Sequence, residues 1–308
     1  ARPTPKMLCG EFWHEGEVCI LFADTNLGKS ILAVQIADSI SKGVQALRCL
    51  KFEAEKQPVL YFDFELSDKQ FEIRYGVENK AEKKFENHYQ WDDNFIRVEI
   101  NPEANIPDNQ TFEDYLNDSL ERSIIDTGAR ILIIDNLTYL RNETEKAKDA
   151  LPLMKQLKAL KSKYGLSILA LAHTPKRDLS KPITRNDLQG SKMLINFCDS
   201  SFSIGESHTD KNLRYLVQIK QRNTVQVYDS ENVCTCQIDK PSNFLFFDFI
   251  GFGTEKEHLK QPTEKDAESL KERVLEMRAQ GKSFRDVGAE LGISHMKAKR
   301  VFEKYGKP

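Results

Sequence analysis

The chain has 308 residues, of which 40% are hydrophobic and 30% charged, with a net charge of −2. This composition is ordinary for a globular protein and leaves room for one large domain and a small one. It excludes a polyanion partner held by overall charge, so any nucleic-acid surface has to be local.

The six cysteines (Cys9, Cys19, Cys49, Cys198, Cys234 and Cys236) form no CxxC pair and no metal-ligand spacing with the six histidines. Free thiols are expected, without a disulfide framework. Residues Ala1 to Lys6 lead into no signal-peptide-like stretch. The longest apolar runs, near Ile131–Ile134 and Ile168–Ala172, are too short to span a membrane. A cytoplasmic protein is expected. The chain does not begin with Met, so a trimmed chain or a part of a longer one is also an expectation.

Short apolar runs alternate with longer amphipathic ones. Glu17–Ala23 reads as a buried strand and Lys29–Lys42 as a helix. Val59–Phe64 is a second strand and Asp68–Val77 a helix. Phe112–Thr127 is helical, Ile131–Asp135 a strand, Ala147–Tyr164 a long helix and Ser167–Ala172 another buried strand. Continuous apolar strands separated by helices predict a parallel sheet covered on both faces. From Ser201 the pattern changes to Ser201–Ile204, Arg214–Lys220, Val233–Ile238 and Phe244–Phe249, which read as antiparallel strands added to one edge. Residues 253–264 read as a polar linker between a large domain over 1–252 and a helical domain over 265–308. The fold class expected is α/β, mainly parallel, with a small all-α domain.

The segment Ala23-Asp24-Thr25-Asn26-Leu27-Gly28-Lys29-Ser30 has the Walker A form, with Ala in place of the first Gly. A buried strand delivers the loop, its N–H groups turn around phosphates, and the following helix points its positive end at them. Lys29 is then expected to reach the β and γ phosphates of ATP, and Ser30 to ligate Mg²⁺. Asp135 ends a central parallel strand, where a carboxylate lies in the ligand crevice. It is expected to hold the water shell of Mg²⁺. Glu65, just past a strand, suits a carboxylate that orients and deprotonates the attacking water. Asp63, two residues away on the same strand, is its rival.

These residues resemble the RecA-like core of DnaB-type hexameric helicases and their smaller plasmid RepA-type relatives, over roughly residues 10 to 225. Phe64-Glu65-Leu66-Ser67, with Arg74 further on, is similar to the family segment that carries the catalytic glutamate. Ile168–Ala172 followed by His173 is similar to the strand and polar sensor, where RepA-type relatives have His. Asp187-Leu188, Gly190-Ser191 and Asp199 resemble the next motif. Lys220-Gln221-Arg222-Asn223 resembles the late motif whose basic residues reach the neighbouring subunit's ATP. The resemblance implies Glu65 as base, His173 as γ-phosphate sensor, Lys220 and Arg222 as cations supplied in trans, and a homo-oligomer with the hexamer as the family's ring. It also implies that the loop Thr174–Arg185, with Lys176, Arg177, Lys181 and Arg185, faces single-stranded DNA. These residues do not include the primase-binding domain of DnaB-type enzymes, and the sequence after Asn223 lacks that family's Gly-rich continuation. The ATPase core therefore carries over, while processive unwinding does not follow.

From Lys265 to Pro308 there are 11 Lys and Arg against 7 Asp and Glu. Helices are expected over Arg273–Arg278, Ser283–Leu291 and His295–Tyr305, with Ser294 as a cap. This resembles a helix-turn-helix unit of the resolvase or sigma-factor kind. His295, Met296, Lys297 and Arg300 are expected to face the groove of duplex DNA, with Lys299 and Lys304 nearer the phosphates. The function expected is a DNA-dependent ATPase motor, a helicase or a replication or mobilisation ATPase of a plasmid or mobile element. The alternative is an ATP-switched DNA-binding regulator or initiator that does not unwind.

Overall fold

The computed structural model describes residues 4–82, 84–99, 109–137, 150–174, 177–188, 191–261 and 263–306. These form two compact units, Ala1–Arg177 with Pro182–His258, and Asp178–Lys181 with Leu259–Pro308.

The first unit begins with a two-stranded ribbon, β1 (Met7–Cys9) and β2 (Trp13–His14), followed by β3 (Val18–Ala23), α1 (Lys29–Lys42), β4 (Val59–Asp63) and α2 (Asp68–Tyr75). A small hairpin, β5 (Val77–Asn79) and β6 (Lys84–Glu86), precedes β7 (Phe95–Glu99), α3 (Phe112–Thr127) and β8 (Ile131–Asp135). Then come α4 (Ala150–Tyr164), β9 (Ser167–His173), α5 (Ser191–Phe197), β10 (Ser200–Glu206), β11 (Leu213–Lys220), β12 (Val233–Asp239), β13 (Phe246–Gly253) and the turn-length α6 (Glu255–His258). The nine-stranded sheet runs β13-β12-β11-β10-β3-β9-β8-β4-β7. Strands β10, β3, β9, β8, β4 and β7 are parallel, and β11 to β13 are antiparallel.

Alternation along the parallel strands explains why both faces are dry. Cys19, Leu21, Tyr61, Ile133 and Leu169 pack with α1 on one face. Ile20, Phe22, Phe62, Ile134 and Ala170 pack with α3 and α4 on the other. Both sets are nearly inaccessible to water, which produces the continuous apolar runs in the sequence. The fold is therefore RecA-like α/β with a largely parallel sheet.

Strand β13 sits at the sheet's edge but is not bare. The Gln35 side chain of α1 donates to Phe247 O at 3.0 Å and accepts from Phe247 N at 2.7 Å. Arg48 donates to Phe249 O. These contacts occupy main-chain groups that would otherwise template pairing with another chain.

The structure adds one strand that the sequence leaves unassigned and corrects two expectations. Phe95–Glu99 forms an edge strand that its central Arg97 had hidden. The last strand starts at Phe246, not Phe244, and runs on to Gly253. Residues Gly253 to His258 are not linker, because Glu255 is fully buried, accepting from Ile183 N at 2.7 Å and Tyr215 Oη at 3.0 Å. A polar segment read as solvated is in fact anchored by buried polar partners. Within the expected helix Ala147–Tyr164, residues 147–149 lie outside the described residues.

The second unit holds α7 (Glu264–Ala279), α8 (Phe284–Leu291) and α9 (His295–Tyr305). Its core is Val274, Met277, Val287 and Ala298, flanked by half-buried Leu270, Phe284, Leu291, Ile293, Val301 and Phe302. Ser283 and Ser294 cap α8 and α9, accepting from Asp286 N and Lys297 N. Gly292 closes α8 in the left-handed conformation at φ 65°.

Candidate nucleotide site

Strand β3 ends at Ala23 and hands the chain to a loop with two left-handed residues, Asn26 at φ 63° and Gly28 at φ 95°. Helix α1 starts immediately after, with no side-chain cap and no acidic residue in its first turn. Its first N–H groups are thus left for an anion, which is what a phosphate cradle needs. A Cβ at Gly28 would lie 2.9 Å from both Ile238 and Phe247, so the loop is packed from behind by the β12–β13 hairpin. Asp24 is exposed, and its side chain accepts from Thr25 N.

The Lys29 ammonium, buried at 6% exposure, donates to Ala23 O at 3.1 Å and Asp24 O at 3.2 Å. Burial lowers its pKa, against the opposing pull of Glu65, Asp135 and Asp24. It also lies 3.3 Å from His173 Nδ1. An ammonium only donates, so Nδ1 accepts from it, while Nε2 lies 3.4 Å from Glu65 Oε1 and 3.0 Å from the Asn136 amide nitrogen. His173 is placed there because it pairs in register with Ala23 across β9 and β3.

Glu65 follows β4, which pairs with β8 so that Asp63 faces Asp135. The half-buried Glu65 carboxylate accepts from the Asn136 amide and from His173. The His173 hydrogen bond is the main cause holding its pKa below the usual glutamate value, with help from Lys29 and Asn136. Asp63 has a different task. Its Oδ1 accepts from Glu65 N and Leu66 N at 3.2 and 2.9 Å, and its Oδ2 pairs with Arg97 at 2.9 Å. The rival carboxylate therefore builds the turn that presents Glu65.

Asp135 is completely buried, and its Oδ2 accepts from Tyr61 Oη at 2.7 Å. Burial pushes its pKa up to about 6, despite hydrogen bonds from Ser30 and Tyr61. Its Oδ1 has no hydrogen-bond partner among the described residues. A buried carboxylate oxygen of this kind beside the Ser30 hydroxyl fits the all-oxygen donor set of a hydrated Mg²⁺.

Thr25, Asn26, Gly28, Lys29, Ser30, Ile31, Glu65, Arg74 and His173 line one cleft. Arg74, on α2, brings a second cation, and its Nη1 is buried without a hydrogen-bond partner among the described residues. The sequence matches Arg74 to the family's arginine after the glutamate without giving it a role, and marks neither Asn136 nor Tyr61. Asn136 directly follows Asp135 and reads as a turn residue, and Tyr61 reads as a core aromatic.

A model of the AAA domain family matches residues 1–178, more than half of the chain. The chain belongs to the AAA domain family. This AAA-domain chain is a P-loop ATPase of RecA-like fold. Among solved structures, a KaiC-like protein of the hyperthermophilic archaeon Pyrococcus horikoshii OT3 is similar, with a TM-score of 0.50 and 13% identity. The match covers 80% of this chain and 99% of that one, and at such identity it speaks to fold alone. No curated protein matches the sequence.

Lys220 and Arg222 lie away from this cleft. Lys220 pairs in register with Ser201, which pairs with Ile20, and Arg222 binds Asp199, whose carboxylate accepts from Val18 N. Both cations thus sit at the amino ends of the parallel strands, opposite the phosphate loop. Lys220 donates to Ile195 O and Cys198 O, closing the end of α5. Arg222 pairs with Asp199 at 3.2 Å but stays half exposed.

Four cations were expected on the loop after His173, and Lys176 lies outside the described residues. Arg177 lies against Tyr215 and Glu255. Lys181 pairs with Asp178 at 3.1 Å and donates to Gly292 O at 3.2 Å. Arg185 donates to Ile219 O at 3.4 Å. Arg177, Lys181 and Arg185 thus each have partners within their own unit.

Among the described residues no helix is long and apolar enough to cross a membrane. All six cysteines are free thiols, four of them buried beside one another's elements in the core that covers α1 or near it.

Proposed function

We propose that the chain is a DNA-dependent ATPase motor, of helicase or replication and mobilisation type, that hydrolyses MgATP at this cleft. The carrying observation is Glu65, a carboxylate kept ionised by His173 and Asn136 and facing the same cleft as Lys29. Such a group can orient a water and take its proton. Lys29 and the start of α1 hold the phosphates, and Arg74 faces the charge that develops on the γ-phosphate. Ser30 and Asp135 would hold Mg²⁺, which supplies charge neutralisation at the phosphates.

The DNA half of the reading rests on the second unit. Its α8–α9 pair, joined through Gly292 and capped by Ser294, has the form of a helix-turn-helix. Arg273, Lys297, Arg300 and Lys304 border one groove between α7 and α9 and form no ion pair among the described residues. Lys299 instead lies 3.7 Å from Glu303. Unpaired cations along one face are the footprint of phosphate binding. His295, Lys297 and Arg300 therefore remain the proposed duplex contacts, with Lys299 in a lesser part.

The deciding experiment measures ATPase rate with and without single-stranded DNA, beside a strand-displacement assay. Stimulated hydrolysis with displacement is expected. Slow, unstimulated hydrolysis with binding to one duplex site would replace the motor by an ATP-switched regulator.

A further inference from the structure

Helix α2 carries Arg74 into the nucleotide cleft, yet its own end is poorly closed. It is only 8 residues long, and its C-cap Gly76 is extended at φ −138° and ψ 167°. No left-handed cap is formed to satisfy the last carbonyls. Tyr75 O is taken by Tyr89 N at 2.7 Å. Two further carbonyls are taken by one side chain from far along the chain: Lys240 Nζ donates to Ile73 O at 2.7 Å and to Gly76 O at 2.6 Å.

Lys240 belongs to the tip of the β12–β13 hairpin, and that tip is itself fixed. Phe244 packs its ring 4.4 Å from Tyr89 and 5.2 Å from Tyr75, and Asn243 donates to Asn87 O at 2.9 Å. The strand pair next to this tip, Ile238 with Phe247, packs behind Gly28. The tip end of one hairpin thus both backs the phosphate loop and clamps the Arg74 helix. The two carbonyls that Lys240 holds flank Arg74 in sequence, and the Arg74 guanidinium has a buried nitrogen without a hydrogen-bond partner among the described residues. An arginine in that condition keeps its place through its backbone, not through partners of its own. A cation at the carboxyl end of a helix also opposes the helix dipole favourably. Partial burial lowers the Lys240 pKa.

We infer that Lys240 is a positioning residue for hydrolysis: it clamps the end of α2 so that Arg74 meets the γ-phosphate. The inference rests on the role given to Arg74 under the proposed function. Misplacing a catalytic group by about 1 Å can cost up to about 10²-fold in rate.

The test compares Lys240→Met, Lys240→Arg, Arg74→Met and the Lys240→Met/Arg74→Met double variant in full-length protein, by kcat and KM for ATP and by thermal unfolding. Lys240→Met is expected to lower kcat about tenfold or more with a smaller change in KM, Lys240→Arg to restore most of it, and the double variant to match Arg74→Met alone. Losses that multiply in the double variant would overturn the inference, because Lys240 would then act independently of Arg74. Unchanged kcat in Lys240→Met would overturn it as well. An unaffected Arg74→Met would instead remove Arg74 from the proposed mechanism, a separate failure. Should Lys240→Met not fold, Lys240→Gln, which can still donate to one carbonyl, carries the same comparison.

Discussion

Two carboxylates, Asp63 and Glu65, stand two residues apart at the end of β4, and exchanging each for its amide should give opposite results. Asp63→Asn keeps an acceptor for the Glu65 and Leu66 N–H groups but turns an NH₂ toward the Arg97 guanidinium. The Asp63 side chain is fully buried and that of Arg97 is 14% exposed. Breaking a buried pair on one side costs about 3–5 kcal/mol. Arg97 still has Asp68 and Glu99 to lean on, so the lower end, about 3 kcal/mol, is expected. For a unit of this size that is a fall in Tm of roughly 6–12 °C. Hydrolysis per folded molecule should fall only as far as the turn holding Glu65 loosens. Glu65→Gln should behave in reverse, with Tm near that of the parent, nucleotide binding retained, and single-turnover phosphate release down about 10²–10⁴-fold. The assay pairs thermal unfolding with phosphate release normalised to the folded fraction. A Glu65→Gln protein hydrolysing at the parent rate, or an Asp63→Asn protein of unchanged Tm and lost turnover, would refute the assignment.

Glu65 must be ionised to act as a base, so activity is lost as pH falls through its depressed pKa. His173→Ala removes the main cause of that depression, and the acid limb of the kcat/KM profile should move to higher pH. An unmoved limb would mean that another group sets it. Gly28→Ala forces a side chain into φ 95° and against Ile238 and Phe247, and should cost about 1–3 kcal/mol in unfolding experiments while weakening ATP binding. Arg222 lies level with Val18, about 16 Å of strand from Ala23, and so cannot serve its own site. Arg222→Ala should bind ATP normally and hydrolyse poorly, with partial recovery on mixing with Lys29→Ala, whereas specific activity independent of protein concentration would rule out sharing between copies.

The parallel half of the fold was legible because each strand there is buried on both faces. Burial on both sides demands unbroken apolar runs, and those runs stand out between polar turns: Ile131–Asp135 has the same bounds in sequence and structure. Helices α1, α3 and α9 were equally plain, bounded by Gly28 and Gly43, by Thr111 and Gly128, and by Ser294. Strand β7 was not, because Arg97 at its centre breaks the apolar pattern, and the distant Asp63 and Asp68, with Glu99, make a charge tolerable there. The same reason hid α6, since Glu255 looks solvated until Ile183 and Tyr215 are brought to it.

In the site, the legible residues were those whose role follows from neighbours in sequence. Lys29 and Ser30 lie in a strand–loop–helix turn, and Asp135 ends a buried strand. Glu65 could be ranked above Asp63 only by resemblance; the physical reason is Arg97, 34 residues further on. Asn136 was passed over although it touches both Glu65 and His173, because an asparagine after a strand has a sufficient local explanation as a turn. Lys220 shows the complementary case: its spacing from Arg222 suggests a shared outward face, while the carbonyls that hold it come from the end of a helix more than 20 residues earlier. The residues hardest to read share one property. Their chemistry is set by what the β11–β13 extension and the ends of α2 and α5 bring together, and these contacts span 22 to 212 positions of chain. Local pattern therefore locates the phosphate loop, but the groups that orient its partners can only be recognised once the antiparallel edge has folded back over α1.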